Sequence, residues 1–154
     1  MGDAPGFPAI TQLAQALRAE KTRFIVVGMS AALLQGVPST TLDVDLWIDL
    51  PARQYMRILN MSRQLGAEIV ANTVVVFGGE LTINFLYRMD GLQSFDYEYL
   101  RAKRLKWNGA ILAVLPLNRI YKSKKAVGRE KDLAVLPILK RTINLLRKNR
   151  GKLS

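Results

Sequence analysis

The stretch Phe24-Ile25-Val26-Val27-Gly28-Met29-Ser30, followed thirteen residues past Ser30 by Asp43-Val44-Asp45, decides how this chain reads. A short apolar run ends in a small-residue turn, and a D-x-D then sits inside a second apolar run from Leu42 to Ile48. Strand alternation places Asp43 and Asp45 on one face with Thr41 and Trp47, and Leu42, Val44, Leu46 and Ile48 on the other. Two carboxylates held side by side repel unless a cation or a proton lies between them. A divalent metal is the usual resolution, and Mg²⁺ typically brings a nucleotide phosphate with it. Gly28 lets the backbone turn tightly, and the N–H groups after it point outward from a helix start, a ready anion site. Ser30 is placed to cap that helix or to donate to a phosphate oxygen.

Composition narrows the chemistry. The chain has 154 residues, of which 49% are hydrophobic, enough to bury a core in one domain. No window of 18 consecutive apolar residues is present, so no membrane span or membrane partner is expected. The N-terminus shows no signal-peptide pattern, and the absence of cysteine fits a cytoplasmic location. There is also no histidine, so histidine-ligated zinc, Ser-His-Asp triads and histidine bases are excluded. Residues 1–100 carry 7 Lys and Arg against 10 Asp and Glu, a net −3, while residues 101–154 carry 16 against 2, a net +14. A basic C-terminal third points to phosphate-rich partners such as nucleotide, RNA or DNA, or to an acidic protein surface. The run Arg147-Lys148-Asn149-Arg150-Gly151-Lys152 reads as a solvated basic tail, frayed from about residue 148.

Periodicity predicts a helix over Pro8–Glu20, a buried strand over Arg23–Val27, a short helix over Ser30–Gln35 and the D-x-D strand over Leu42–Ile48. Pro51 is expected at the first position of a helix ending at Gly66, with Asp49 as a cap. Strands follow at 68–70, 74–77 and 81–87, the last two joined by a Gly78-Gly79 turn, and then a helix over Phe95–Lys103. Asn108-Gly109 predicts a hairpin between 104–107 and 110–115. Two basic helices close the chain, Leu117–Val127 and 131–147, the second started or kinked by Pro137. The expected fold class is α/β, or α+β, with a mixed sheet flanked by helices in one domain spanning residues 1–154.

The ordered pieces resemble the nucleotidyltransferase superfamily, whose signature is a strand, Gly-Gly or Gly-Ser, a short helix and T-x-D-x-D. Here these are Gly28-Met29-Ser30-Ala31, a helix ending at Gly36, and Thr41-Leu42-Asp43-Val44-Asp45-Leu46, within a match from about Arg23 to Tyr87. Lys124, Arg129, Lys131 and Asp132 resemble the K-x4-R-x-K-D stretch of small bacterial members, especially those similar to abortive-infection toxins. The resemblance implies transfer of a nucleoside monophosphate from an NTP such as ATP to an acceptor. Asp43 and Asp45 would hold two Mg²⁺ ions. Gly28, Met29, Ser30 and Thr41 would grip phosphates, and Lys124, Arg129 and Lys131 would neutralise the leaving pyrophosphate.

Three residues depart from the family pattern. Met29 stands where Ser or Gly is usual and narrows the phosphate turn, and Ser39 replaces an arginine. Asn84 occupies the third carboxylate's place; its carbonyl can ligate a metal, but a neutral amide cannot act as a base. Glu80 and Asp90 flank that strand without its register. Two readings therefore stand open: an active enzyme, or a weak or inactive nucleotide- or RNA-binding or toxin–antitoxin module. An acceptor protein, an antitoxin or a second copy of the chain completes the partners the pattern implies.

Overall fold

Four consecutive apolar residues, Phe24 to Val27, are buried in full and form β1, the strand around which the sheet is built. A strand with no polar face belongs in the middle of a sheet covered on both sides. In the computed structural model, which describes residues 8–40 and 43–153, that is where β1 lies. Helix α1 (Pro8–Ala19) precedes it, and α2 (Gly28–Leu34) follows without a linker. Next come β2 (Asp43–Ile48), a 3₁₀ turn (Ala52–Gln54), α3 (Tyr55–Gln64), β3 (Glu68–Ala71), β4 (Val74–Phe77) and β5 (Leu81–Leu86). The chain continues with α4 (Phe95–Arg101), β6 (Lys103–Trp107), β7 (Ala110–Val114), α5 (Leu117–Val127), α6 (Glu130–Ala134) and α7 (Leu136–Leu153).

The seven strands form one mixed sheet in the order β3-β4-β5-β2-β1-β7-β6. β1 pairs antiparallel with β2 and parallel with β7, while β2 pairs parallel with β5. The expected mixed α/β architecture is therefore the observed one. α1 seats Ile10, Leu13, Ala14 and Leu17 on the core, the stripe its helical spacing predicts. The Asn108-Gly109 hairpin forms between β6 and β7, with both turn residues at positive φ as a type I′ turn requires.

Several local expectations differ in detail. Pro51 is extended (ψ 142°), so the helix after it opens with a 3₁₀ turn and becomes α-helical only at Tyr55. Asp49 does not cap that turn; its carboxylate takes two hydrogen bonds from Arg23 at 3.1 and 2.7 Å. The helix after residue 95 ends at Arg101, because Lys103 is drawn into the hairpin as the partner of Val114. The basic C-terminal segment divides into α6 and α7, with Pro137 in the first turn of α7, where its missing N–H breaks no helical bond. α7 then runs on to Leu153. Trp47, expected on the same face as the two acids, is 5% exposed and meets Phe95 of α4 edge-on, with ring centroids 5.2 Å apart.

Candidate active site

Gly28 follows β1 directly with φ +67°, a conformation that favours glycine. A Cβ there would stand 2.3 Å from Asp45 Oδ2, so the missing side chain leaves the space the carboxylate occupies. The sheet register explains the approach: Val27 pairs with Asp45 across β1 and β2, and Asp45 with Asn84 across β2 and β5. Val44 and Leu46 are buried beneath, so alternation turns Asp43 and Asp45 together to the other face.

Asn84 Nδ2 donates to Asp45 Oδ1 at 2.9 Å. Burial nonetheless holds the Asp45 carboxyl above its ordinary range, against the lowering effect of the Asn84 bond and of Lys124. The nearby Asp43 adds to the upward push. Ser30 does not cap α2 with its side chain. Its buried hydroxyl donates to the Val27 carbonyl at 3.0 Å and accepts from the Asp45 amide at 3.4 Å, tying the glycine turn to the D-x-D strand. Met29 is half-buried and packs on the core. Thr41 lies outside the described residues.

The facing wall comes from the C-terminal helices. Asp132 of α6 is 1% exposed and takes hydrogen bonds from Arg129 Nε at 2.7 Å, Arg129 Nη2 at 3.3 Å and the Arg129 backbone N–H at 3.2 Å. Lys124 Nζ of α5 lies 3.5 Å from Asp132 Oδ1, which also accepts from Arg129 Nη2. Arg129's hydrogen bond holds the Asp132 carboxyl below its ordinary range despite burial. Ser123 Oγ donates to the Asp90 carbonyl at 3.0 Å, fastening α5 to the loop after β5. Between the walls lies a cleft of about 230 Å³, lined among others by Gly28, Asp45, Arg88, Lys124, Arg129 and Asp132.

The tertiary structure thus brings Gly28, Asp45, Lys124 and Arg129 to one cleft. Lys131 is exposed beyond its lining but adds to the positive field on Asp45. Of the two flanking acids, Asp90 lines the cleft and Glu80 does not. Arg88 was not among the residues singled out by sequence. Its one signal is that it continues the alternation Asn84, Leu86, Arg88 beyond the end of β5.

Two carboxylates on adjacent same-face positions, one held desolvated with its charge incompletely offset, are a fitting donor set for one hard divalent cation. A third ligand is less well provided. Asn84 turns its amide N–H₂ to Asp45, and no group of three or more acidic, His or Cys side chains comes together among the described residues.

By sequence, no family model and no curated protein matches the chain. Solved structures do match by shape. The lincosamide antibiotic adenylyltransferase LnuA, with lincomycin bound, superposes with a TM-score of 0.58 at 10% identity, over 91% of this chain and 98% of that one. The antibiotic-resistance factor ANT(2'')-Ia gives 0.56 at 11% identity, over 94% and 92%. A Thermotoga maritima protein described as a nucleotidyltransferase gives 0.55 at 19%, over 83% and 88%. The chain shares the fold of these solved structures.

Proposed function

We propose that this protein binds a nucleoside triphosphate with Mg²⁺ in the cleft between Gly28, Asp43 and Asp45 on one side and Lys124 and Arg129 on the other. It transfers the nucleoside monophosphate to an acceptor. The observation that carries this reading is the opposition of Asp45, beside a glycine turn, to a basic wall within one cleft, with Asp43 exposed outside the lining on the same face of β2. Asp43 and Asp45 would hold the metal, which when bound would withdraw charge from the phosphates. The N–H groups after Gly28 face the phosphate chain, and Gly28 itself allows its close approach. Lys124 and Arg129 stabilise the charge that collects on pyrophosphate as it leaves. The acceptor hydroxyl oxygen bonds to the α-phosphorus as the bond to the bridging oxygen breaks, pyrophosphate leaves and the hydroxyl proton passes to solvent. Asp132 keeps the two cations in place while sharing its charge between them.

A second reading is favoured by one specific observation. Asn84 donates to Asp45, so the side chain that would complete a carboxylate triad instead satisfies one of its members. On this reading the cleft binds nucleotide, with RNA or a protein antitoxin as partner, and turns over slowly or not at all.

One experiment separates the two. The purified chain is incubated with each α-labelled NTP, Mg²⁺ and an RNA and protein extract, and nucleotide binding is measured in parallel by calorimetry. Labelled product that vanishes in Asp45→Ala establishes transfer. Binding without product from any of the four nucleotides establishes the second reading, and neither binding nor product rejects both.

A further inference from the structure

We propose that a second cleft, on the far side of β1 from the D-x-D site, binds a small phosphate ester. Phe24, which begins β1, lies in its floor, whereas Gly28, which follows the strand, lies in the first cleft. Four residues of strand, about 13 Å, separate the two. The second cleft measures about 370 Å³, the size of a small-ligand site. Arg18 and Lys21 come from the end of α1, Arg23 from the start of β1, Arg104 from β6 and Tyr99 from α4, and among the described residues no carboxylate lines it.

The four cations are not equivalent. Arg23 is committed to Asp49 and Asp96. Among the described residues, no carboxylate pairs with Arg18, Lys21 or Arg104. Arg18 is braced by the Ile111 carbonyl, and Arg104 Nη1 by the carbonyls of Tyr99 and Ala102, each at 3.0 Å. Each guanidinium is therefore oriented by neutral acceptors that leave its charge unneutralised. Two planar forks and one ammonium converging on a cleft suit the oxygens of a phosphate. Ile111, 53% exposed in the floor, offers contact to an apolar or ring-bearing body attached to it.

Lys21 supplies an independent observation. The end of α1 is closed by hydrogen bonds from the Lys21 N–H to the Arg18 carbonyl at 2.9 Å and from the Thr22 N–H to the Leu17 carbonyl at 2.8 Å. That double closure puts the residue after the cap in the left-handed region, where glycine is strongly preferred. The position holds lysine, at φ +56°. Its side chain thus lines a cationic cleft in spite of an unfavourable backbone, a pattern found where a side chain serves binding.

The test uses the full chain and two probes, AMP and inorganic phosphate, followed by amide NMR shifts. Shifts at Lys21, Thr22 and Ile111 report this cleft, and those at Gly28 and Asn84 report the D-x-D cleft. AMP and phosphate are both expected to shift the first set, AMP more tightly. Lys21→Gly should melt at the same temperature as the parent or higher, yet bind AMP here about tenfold more weakly or worse. Arg18→Gln should weaken binding in the same way. Shifts confined to Gly28 and Asn84, or undiminished binding in both variants, overturn the assignment. The outcome is independent of whether the D-x-D cleft transfers nucleotides.

Discussion

Asn84 Nδ2 donates to Asp45 Oδ1 at 2.9 Å, across a β2–β5 pair in which the two residues stand directly opposite. One neutral donor and one half-buried carboxylate therefore face each other where a third carboxylate would complete a metal-binding triad. Asn84→Asp is expected to raise Mg²⁺-dependent nucleotidyl transfer by roughly tenfold or more, through the added ligand. Without metal the same change sets like charges face to face and should lower the melting temperature; Mg²⁺ should reverse that loss. Melting curves with and without Mg²⁺, beside the labelled-NTP assay, read both effects.

Gly28→Ala separates the fold from the site. The new Cβ would press on Asp45 Oδ2, the free end of a side chain, so Asp45 can swing aside. The positive φ costs about 1 kcal/mol. A small drop in melting temperature with transfer or NTP binding reduced at least tenfold is the expected pair of results. Unchanged binding would mean that Asp45 is not held over the turn for a ligand.

Asp45 and Asp132 respond to pH in opposite senses. Burial raises the Asp45 carboxyl, so the folded state favours its protonated form, and stability from this group is lost as pH rises through its folded value. Asp45→Asn should therefore stabilise the protein at neutral pH, and the gain should shrink as the pH falls through the carboxylate range. Asp132 is lowered by its bond to Arg129, so its contribution is present above the ordinary aspartate range and is lost as pH falls through its lower folded value. In Asp132→Asn, melting temperature should accordingly lose part of its dependence on acid. Both variants can be followed by thermal melts across pH.

A buried ion pair fixes the helix that carries Lys124. Glu98 of α4 is 1% exposed and takes two hydrogen bonds from Arg119 of α5, at 2.9 and 2.5 Å, and one from the Gln93 N–H at 2.9 Å. Burial alone would raise the Glu98 carboxyl, but Arg119 and Gln93 hold it below its ordinary range. Arg119→Ala leaves that charge unpaired and should cost about 3–5 kcal/mol, measured by denaturant unfolding. Arg119→Ala with Glu98→Gln should recover part of the loss, since the stranded charge is gone.

Lys124→Ala should weaken NTP binding about tenfold with little effect on stability, because Asp132 keeps Arg129 at 2.7 Å. Calorimetry on both proteins measures the ratio. Equal affinities would place the triphosphate away from α5.

The frame of the site was legible because its signals are local. An apolar tetrad, a glycine, a short helix and an alternating D-x-D strand each depend on a few neighbouring residues, and strand parity places both aspartates on one face. The roles of single side chains were less legible. Ser30 read as a helix cap or phosphate donor; its hydroxyl also bonds Val27 and the Asp45 amide, the latter a contact that exists only once β2 lies beside β1. Trp47 read as sharing a face with the two acids, and what it packs against, Phe95, 48 positions away, was not legible.

By itself, then, the sequence determined the mixed α/β architecture, the carboxylate pair and the glycine turn, since periodicity and turn chemistry act over short spans of chain. Tertiary structure alone decided which charges face one another. It set Lys124, Arg129 and Arg88 in one cleft with Asp45, and joined Arg18, Lys21 and Arg104 in another. Electrostatic partnership is a matter of distance in space, and strand order and helix packing set those distances across gaps of tens of residues.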